Sequence, residues 1–214
     1  MRLIKALLGF LLDFVEVFVI ALALFVVIYI FLFQPHEVKG KSMYANFDDG
    51  DYLLTDKISY RFRDIQRGDV IVFKAPRNEE YDYIKRVVAL PHERVKIQAG
   101  RVFINSVLLD ETDYLPSSVN TRSGQVWQED KELTIPSGEF FVLGDNRDHS
   151  SDSRDWGTVP ADNIVGRAWC RYWPTSAIGL IPVVDYPTVG KTGPIISGIN
   201  SLTAWRSNPF INPL

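Results

Sequence analysis

Apolar positions along this chain come in two textures. Residues 17–33 are an unbroken run of 17 hydrophobic side chains, whereas from Asp51 onward apolar residues fall in short clusters separated by turn formers. A helix over that run rises about 25 Å, short of the roughly 30 Å of a bilayer's hydrocarbon core, so the pattern extends the span back through Leu11, Leu12, Phe14 and Val15. Asp13 and Glu16 then lie near one interface. The run is longer than the roughly 7–15 residues of a cleavable leader, and it exits through Phe31-Leu32-Phe33-Gln34-Pro35 with no small-x-small site. An uncleaved anchor is predicted. Arg2 and Lys5 precede the span while Gln34, His36 and Glu37 follow it, so the positive-inside bias places the amino terminus in the cytoplasm and the rest of the chain on the far side.

Beyond the anchor the clearest strand signals are Val70-Ile71-Val72-Phe73 and residues 83–90, 95–97, 102–104 and 140–143. Gln98-Ala99-Gly100-Arg101 reads as a hairpin turn. No long stretch after the anchor has a helical period. The predicted fold class is therefore mainly β, an antiparallel sheet domain carried on one N-terminal transmembrane helix. Six of the twelve prolines fall in the last 41 residues, where irregular chain laid over the domain is expected. The predicted organisation is an N-terminus and anchor over residues 1–34, a β-rich domain over 35–173 and a Pro/Gly-rich tail over 174–214.

Composition narrows the classes. Of 214 residues 46% are hydrophobic, and without the anchor run about two in five still are, which excludes intrinsic disorder and collagen-like architecture. A net charge of −3 gives no basic field, so nucleic acid is not expected as a partner. The single cysteine, Cys170, permits no internal disulfide.

Candidate chemistry begins at Gly40-Lys41-Ser42-Met43, a serine after a tight step. Most exposed serines are only loop residues. Here eight residues separate Ser42 from Phe33, and even a fully extended link of about 30 Å keeps the hydroxyl near the membrane surface. A serine nucleophile needs a base, and context disfavours the histidines: His36 abuts the membrane, His92 follows Pro91 in a turn, and His149 sits in a charged loop. In Tyr83-Ile84-Lys85-Arg86-Val87-Val88-Ala89, strand alternation puts Lys85 on one face with Tyr83, Val87 and Ala89. At its ordinary pKa only about one lysine in 2,500 is neutral at pH 7, so a lysine base must be buried and desolvated. Periodicity alone favours the alternative, a lysine that snorkels from a sheet edge to water.

The third cluster is residues 144–157, whose four aspartates and two arginines suggest a self-satisfied network of ion pairs and hydrogen bonds. Asn146, Asp148, Ser150 and Asp152 alternate as calcium ligands would, but the central glycine and terminal glutamate of such a loop are missing and no metal is expected. Arg67-Gly68-Asp69 reads as a turn into the next strand rather than an adhesion tripeptide.

Taken in order, these segments resemble type I signal peptidase, the membrane-bound serine protease that removes leader peptides from exported proteins. Ser42-Met43 is similar to its nucleophile box, Arg67-Gly68-Asp69-Val70-Ile71-Val72-Phe73 to its strand box, Tyr83-Ile84-Lys85-Arg86-Val87-Val88 to its lysine box, and residues 144–154 to its last box. The resemblance implies Ser42 as nucleophile and Lys85 as general base, which displaces the snorkelling alternative. It implies Ser150 as the hydroxyl that orients the lysine, Asp152 and Arg154 as a bracing ion pair, and Asp145 and Arg147 as further scaffold. Val38, Met43, Tyr83 and Ile84 become candidates for the substrate pocket. A lysine at position 85 separates the chain from endoplasmic-reticulum relatives, which carry histidine there.

Departures from the family pattern are Lys39 and Ala45 where many relatives have proline, and His92-Glu93 in place of a glycine-aspartate pair. Some relatives also place a serine hydroxyl for the oxyanion two residues before the nucleophile. Gly40 stands there, which leaves the Ser42 backbone N–H as the donor. The implied activity is cleavage after small residues, at Ala-x-Ala-like sites, in preproteins exported by the Sec or Tat route. The implied setting is a bacterial plasma membrane or a thylakoid, in contact with lipid and without a cofactor. Two rivals are a membrane-tethered β module that binds partners without catalysis, which the presence of Ser42, Lys85 and Ser150 disfavours, and a soluble self-cleaving repressor, which needs no anchor.

Overall fold

Residues Arg2–Phe31 form one helix, α1. Over Leu7–Tyr29 it is long and apolar enough to cross a bilayer, and nearly all its side chains there are exposed. Only a helix or a closed barrel satisfies its backbone inside lipid, and an apolar run free of proline allows the helix. The computed structural model describes residues 2–184 except Arg77, together with Tyr186 and Val189.

The chain then folds as strands: β1 (Phe33–Glu37), β2 (Tyr52–Asp56), β3 (Val70–Ala75), β4 (Asn78–Ala89), β5 (Arg94–Gln98), β6 (Arg101–Ile104), β7 (Val107–Leu108), β8 (Glu132–Thr134), β9 (Glu139–Leu143), β10 (Val159–Pro160), β11 (Ile164–Trp173) and β12 (Gly179–Leu180). A single-turn helix, α2 (Ser153–Trp156), lies between β9 and β10. The larger sheet runs β1-β2-β11-β3-β4-β9-β10 with β12 on β11, and the smaller runs β7-β6-β5-β8. Each pairing is antiparallel, so the mainly β antiparallel class read from the sequence holds.

Alternating side chains of β4 serve two cores. Val88 joins Val95, Ile97, Val102, Ile104, Phe141 and Trp127 against the smaller sheet, while Val87 packs with Ile71, Phe73, Val142 and Val159 on the opposite face. Burying side chains of this size stabilises by about 1.5–3 kcal/mol each. Ala89, expected to share a face with Lys85 and Val87, packs instead with Val88. A register shift against β9 between Val87 and Ala89 inserts a bulge, and one extra residue reverses the alternation.

Turn chemistry follows the sequence. Ala99 and Gly100 both have positive φ (49° and 74°), the two-residue turn expected between β5 and β6. Glu93 is completely buried and takes Arg67 bidentately, at 2.6 and 2.9 Å, while also accepting from Leu90 N–H at 2.7 Å. Asp69 is engaged by Tyr60, Arg63 and Gln66, so both charges of the Arg67-Gly68-Asp69 turn point inward.

Candidate active site

Ser42 lies in the loop between β1 and β2. The loop closes at its neck through Val38 N–H to Asp51 O (2.8 Å) and Gly50 N–H to Val38 O (2.9 Å). Val38, Met43 and Phe47 bury themselves on Leu53, Val70, Ala168 and Ile181, which fixes the loop from below. Gly40 adopts φ +84°, a conformation that side chains other than glycine disfavour, and its N–H donates to Asp49 Oδ1 at 2.6 Å.

Lys85 reaches the same point from β4. Its Nζ donates to Ser42 Oγ at 2.8 Å and to Ile84 O at 3.0 Å, and the residue is only 4% exposed. Burial lowers its pKa from 10.5 to about 8, against the opposing pull of Asp152 and Asp145. The pair opens on a cleft of about 520 Å³ between the β1 end and β4, walled by Val38, Leu53, Val72, Tyr83 and Ile84. Met43, a pocket candidate from the sequence, is wholly buried beneath the loop and is not among the described residues lining the cleft.

His36 lies in this cleft too. Its ring nitrogens meet Thr55 Oγ1 at 2.9 Å and Asp82 Oδ2 at 3.2 Å, tying β1 to β4 across the cleft rather than facing Ser42. Its place three residues after the apolar run hid that role. His149 is exposed.

The 144–154 segment is braced from outside as much as from within. Asp152 pairs bidentately with Arg154 (2.7 and 2.8 Å), accepts from Gly144 N–H at 3.1 Å and caps α2. Asp145 is held by Arg86 of β4, at 2.7 and 2.8 Å, and by Asn46 at 2.8 Å. Arg147 is held by Glu111 and Thr121. The expected self-satisfied loop is thus corrected. Buried charges need partners, and two of the four here come from β4 and from the stretch between β7 and β8, which spacing within the loop could not show.

Ser150 Oγ is buried and has no hydrogen-bond partner among the described residues, so the expected contact with Lys85 is not formed in this geometry. The hydroxyl lies against Gly144, where a β-carbon would collide with Ser150 Oγ and with Ser42 O. Asn146, which the sequence offered only as a metal ligand, instead binds the Ser42 loop: its N–H donates to Ser42 O at 3.0 Å and its side-chain amide to Lys41 O at 2.9 Å.

The family described as signal peptidase, peptidase S26, matches residues 11–173 of this chain. The chain is similar to signal peptidase I of Leptolyngbya laminosa, 39% identical over 158 residues that cover 70% of this chain and 73% of the relative. With signal peptidase I of Bacillus caldolyticus it shares 38% over 151 residues, 68% of this chain and 82% of the relative. With the chloroplastic thylakoidal processing peptidase 1 of Arabidopsis thaliana it shares 37% over 157 residues, 69% of this chain but 44% of that longer protein.

Proposed function

This chain belongs to the signal peptidase family, peptidase S26, and from that premise we propose that it is a membrane-anchored endopeptidase releasing signal peptides from exported preproteins, with Ser42 as nucleophile and Lys85 as general base. The observation that carries the reading is the 2.8 Å contact between a buried Lys85 Nζ and Ser42 Oγ. A neutral amine there takes the hydroxyl proton as Ser42 Oγ bonds the scissile carbonyl carbon, and returns it to the leaving amine when the C–N bond breaks. Water then hydrolyses the acyl-enzyme. Asp145 with Arg86 ties the 144–154 segment to β4, which carries Lys85, Asp152 with Arg154 braces that segment from within, and Ser150 is proposed as the hydroxyl that orients the amine, through a contact not formed in this geometry. Val38, Tyr83 and Ile84 give the cleft apolar walls suited to small side chains, which supports cleavage after Ala-x-Ala-like sites.

In the proposed setting α1 spans the membrane with Arg2 and Lys5 on the cytoplasmic side and the β domain opposite. Exposed Tyr172 and Trp173 favour contact with lipid; Tyr172 neighbours Tyr29 of α1. Preproteins arriving by the Sec or Tat route would be substrates, at a plasma membrane or a thylakoid. The proposed division into 1–34, 35–173 and a packed tail is supported by burial of Ile181, Val184 and Tyr186, while residues 190–214 lie outside the described part of the chain.

The test is incubation of the detergent-solubilised protein with a preprotein and sequencing of the new amino terminus. Cleavage after a small residue, lost in Ser42→Ala, is expected. Cleavage elsewhere overturns the substrate claim, and activity surviving in Ser42→Ala overturns the nucleophile.

A further inference from the structure

Two consecutive carbonyls of the nucleophile loop end on one residue. Lys41 O accepts from the Asn146 side chain at 2.9 Å and, less closely, from Tyr44 N–H of its own turn at 3.2 Å, and Ser42 O accepts from the Asn146 backbone at 3.0 Å. The peptide joining Lys41 to Ser42 is trans, so its C=O and N–H point in opposite directions. With the carbonyl tied to Asn146, the Ser42 N–H must face the other way. Ser42 lines the cleft with Lys85, whereas Asn146, on the carbonyl side of that peptide, is not among the described lining residues. Among the described residues the Ser42 N–H has no acceptor. Gly40, two residues earlier, brings no hydroxyl that could share the work.

We propose that Asn146 is a positioning residue for the oxyanion: by holding the Lys41 and Ser42 carbonyls it sets the peptide plane that aims the Ser42 N–H at the reacting carbonyl. The proposal rests on Ser42 being the nucleophile. When Ser42 Oγ bonds the carbonyl carbon, the C=O π pair moves onto oxygen and the hydroxyl proton passes to Lys85. The new negative charge then needs a donor already in place. An N–H free to swing with its peptide loses much of that advantage, because a small misplacement of a reacting group lowers rate by up to about 100-fold.

The test compares wild type, Asn146→Ala and Asn146→Asp in the full-length detergent-solubilised protein. Aspartate keeps the shape and the backbone donor but, ionised, has no proton for Lys41 O. Substrate is a peptide with an Ala-x-Ala site. Two probes are the same sequence truncated as an aldehyde, which forms a tetrahedral Ser42 adduct, and as a carboxamide, which does not. Both variants should lose roughly 10- to 100-fold in kcat, with aldehyde affinity falling in parallel. KM and carboxamide affinity should stay within about two-fold of wild type, and in Asn146→Ala, which adds no charge beside Lys85, the apparent pKa of the pH–rate profile should stay within about 0.3 pH units. Unchanged kcat in both variants overturns the proposal. So does equal weakening of both probes, which marks general disruption, or a moved apparent pKa in Asn146→Ala, which marks action through Lys85. Ser42→Ala run alongside separates the two readings: activity that survives it overturns the nucleophile, whereas activity lost in Ser42→Ala and intact in both Asn146 variants overturns only the positioning role.

Discussion

Taking the Lys85 amine out of water brings its pKa to about 8. At pH 7 about one molecule in ten then holds it neutral, against roughly one in 3,000 at the ordinary value of 10.5. Turnover should rise with pH through an apparent pKa near 8, and Lys85→Arg, which keeps the charge but cannot deprotonate, should be inactive; a rate still climbing at pH 10 would assign the base elsewhere. The same burial has a stability consequence of definite sign. Between pH 8 and 10.5 the unfolded chain binds a proton at this lysine that the native state does not, so stability rises with pH across that window. Below it the buried ammonium costs about 3 kcal/mol. Lys85→Met should therefore be inactive yet melt higher than wild type at pH 7, with the difference shrinking toward pH 10.5; equal melting temperatures at pH 7 would contradict the cost. His92 illustrates a purely conformational expense. It is exposed at φ +68°, and its backbone N–H bond to Ile135 O needs no side chain. His92→Gly should raise stability by about 0.5–1 kcal/mol, read from denaturant midpoints, with activity unchanged.

Where β9 runs out into the 144–154 loop, close approach replaces the usual spacing between segments. Gly144 has no room for a β-carbon because Ser150 Oγ and Ser42 O occupy the place. Its φ is not in the left-handed region, so the constraint is steric rather than conformational. Gly144→Ala should push both hydroxyl-bearing residues aside and lower kcat by about 100-fold or more, with cooperative unfolding retained. Turnover within a few-fold of wild type would show that the Ser42 loop tolerates displacement. Elements of this kind were only partly legible in the sequence. β3, the C-terminal half of β4, β5, β6 and β9 declare themselves because each is a short β-branched or aromatic run between turn formers. β11 hides, since Arg167, Trp169 and Arg171 interleave with Gly166, Ala168 and Cys170 and no apolar run stands out. β1 hides behind Pro35, which an edge strand paired only with β2 accommodates. The Ser42–Lys85 pair was reached through motif resemblance, because no local pattern joins residues 43 positions apart. Asn146 escaped because its role depends on which carbonyls the fold brings to it.

At the scale of the whole molecule the argument turns on where the site stands relative to the membrane. α1 ends at Phe31, and β1 starts at Phe33 and is pinned along its length to β2, while Lys57 N–H bonds Leu32 O at 3.0 Å. The connection between anchor and domain is therefore a hydrogen-bonded ribbon rather than a tether. Phe33 also stacks on Trp169 of β11, with ring centroids 5.2 Å apart, so the first residue of β1 is fastened to the larger sheet. With α1 in the bilayer as proposed, such a link would fix the height of the Ser42 cleft above it. A preprotein whose own apolar segment sits in the same bilayer presents its cleavage site at a set height, and the encounter becomes a search in two dimensions at matched depth. Inserting ten Gly/Ser residues between Leu32 and Phe33 keeps both domains covalently joined but frees that height by a flexible link spanning roughly 15–20 Å. Cleavage of a membrane-inserted preprotein should fall several-fold or more, while kcat/KM on a short soluble peptide with the same site should change by less than about two-fold. Equal loss on both substrates would mean that the insertion disturbed β1 and the cleft itself. No loss on either would mean that the ribbon contributes nothing to substrate capture, and that the membrane serves this enzyme only as a place to be.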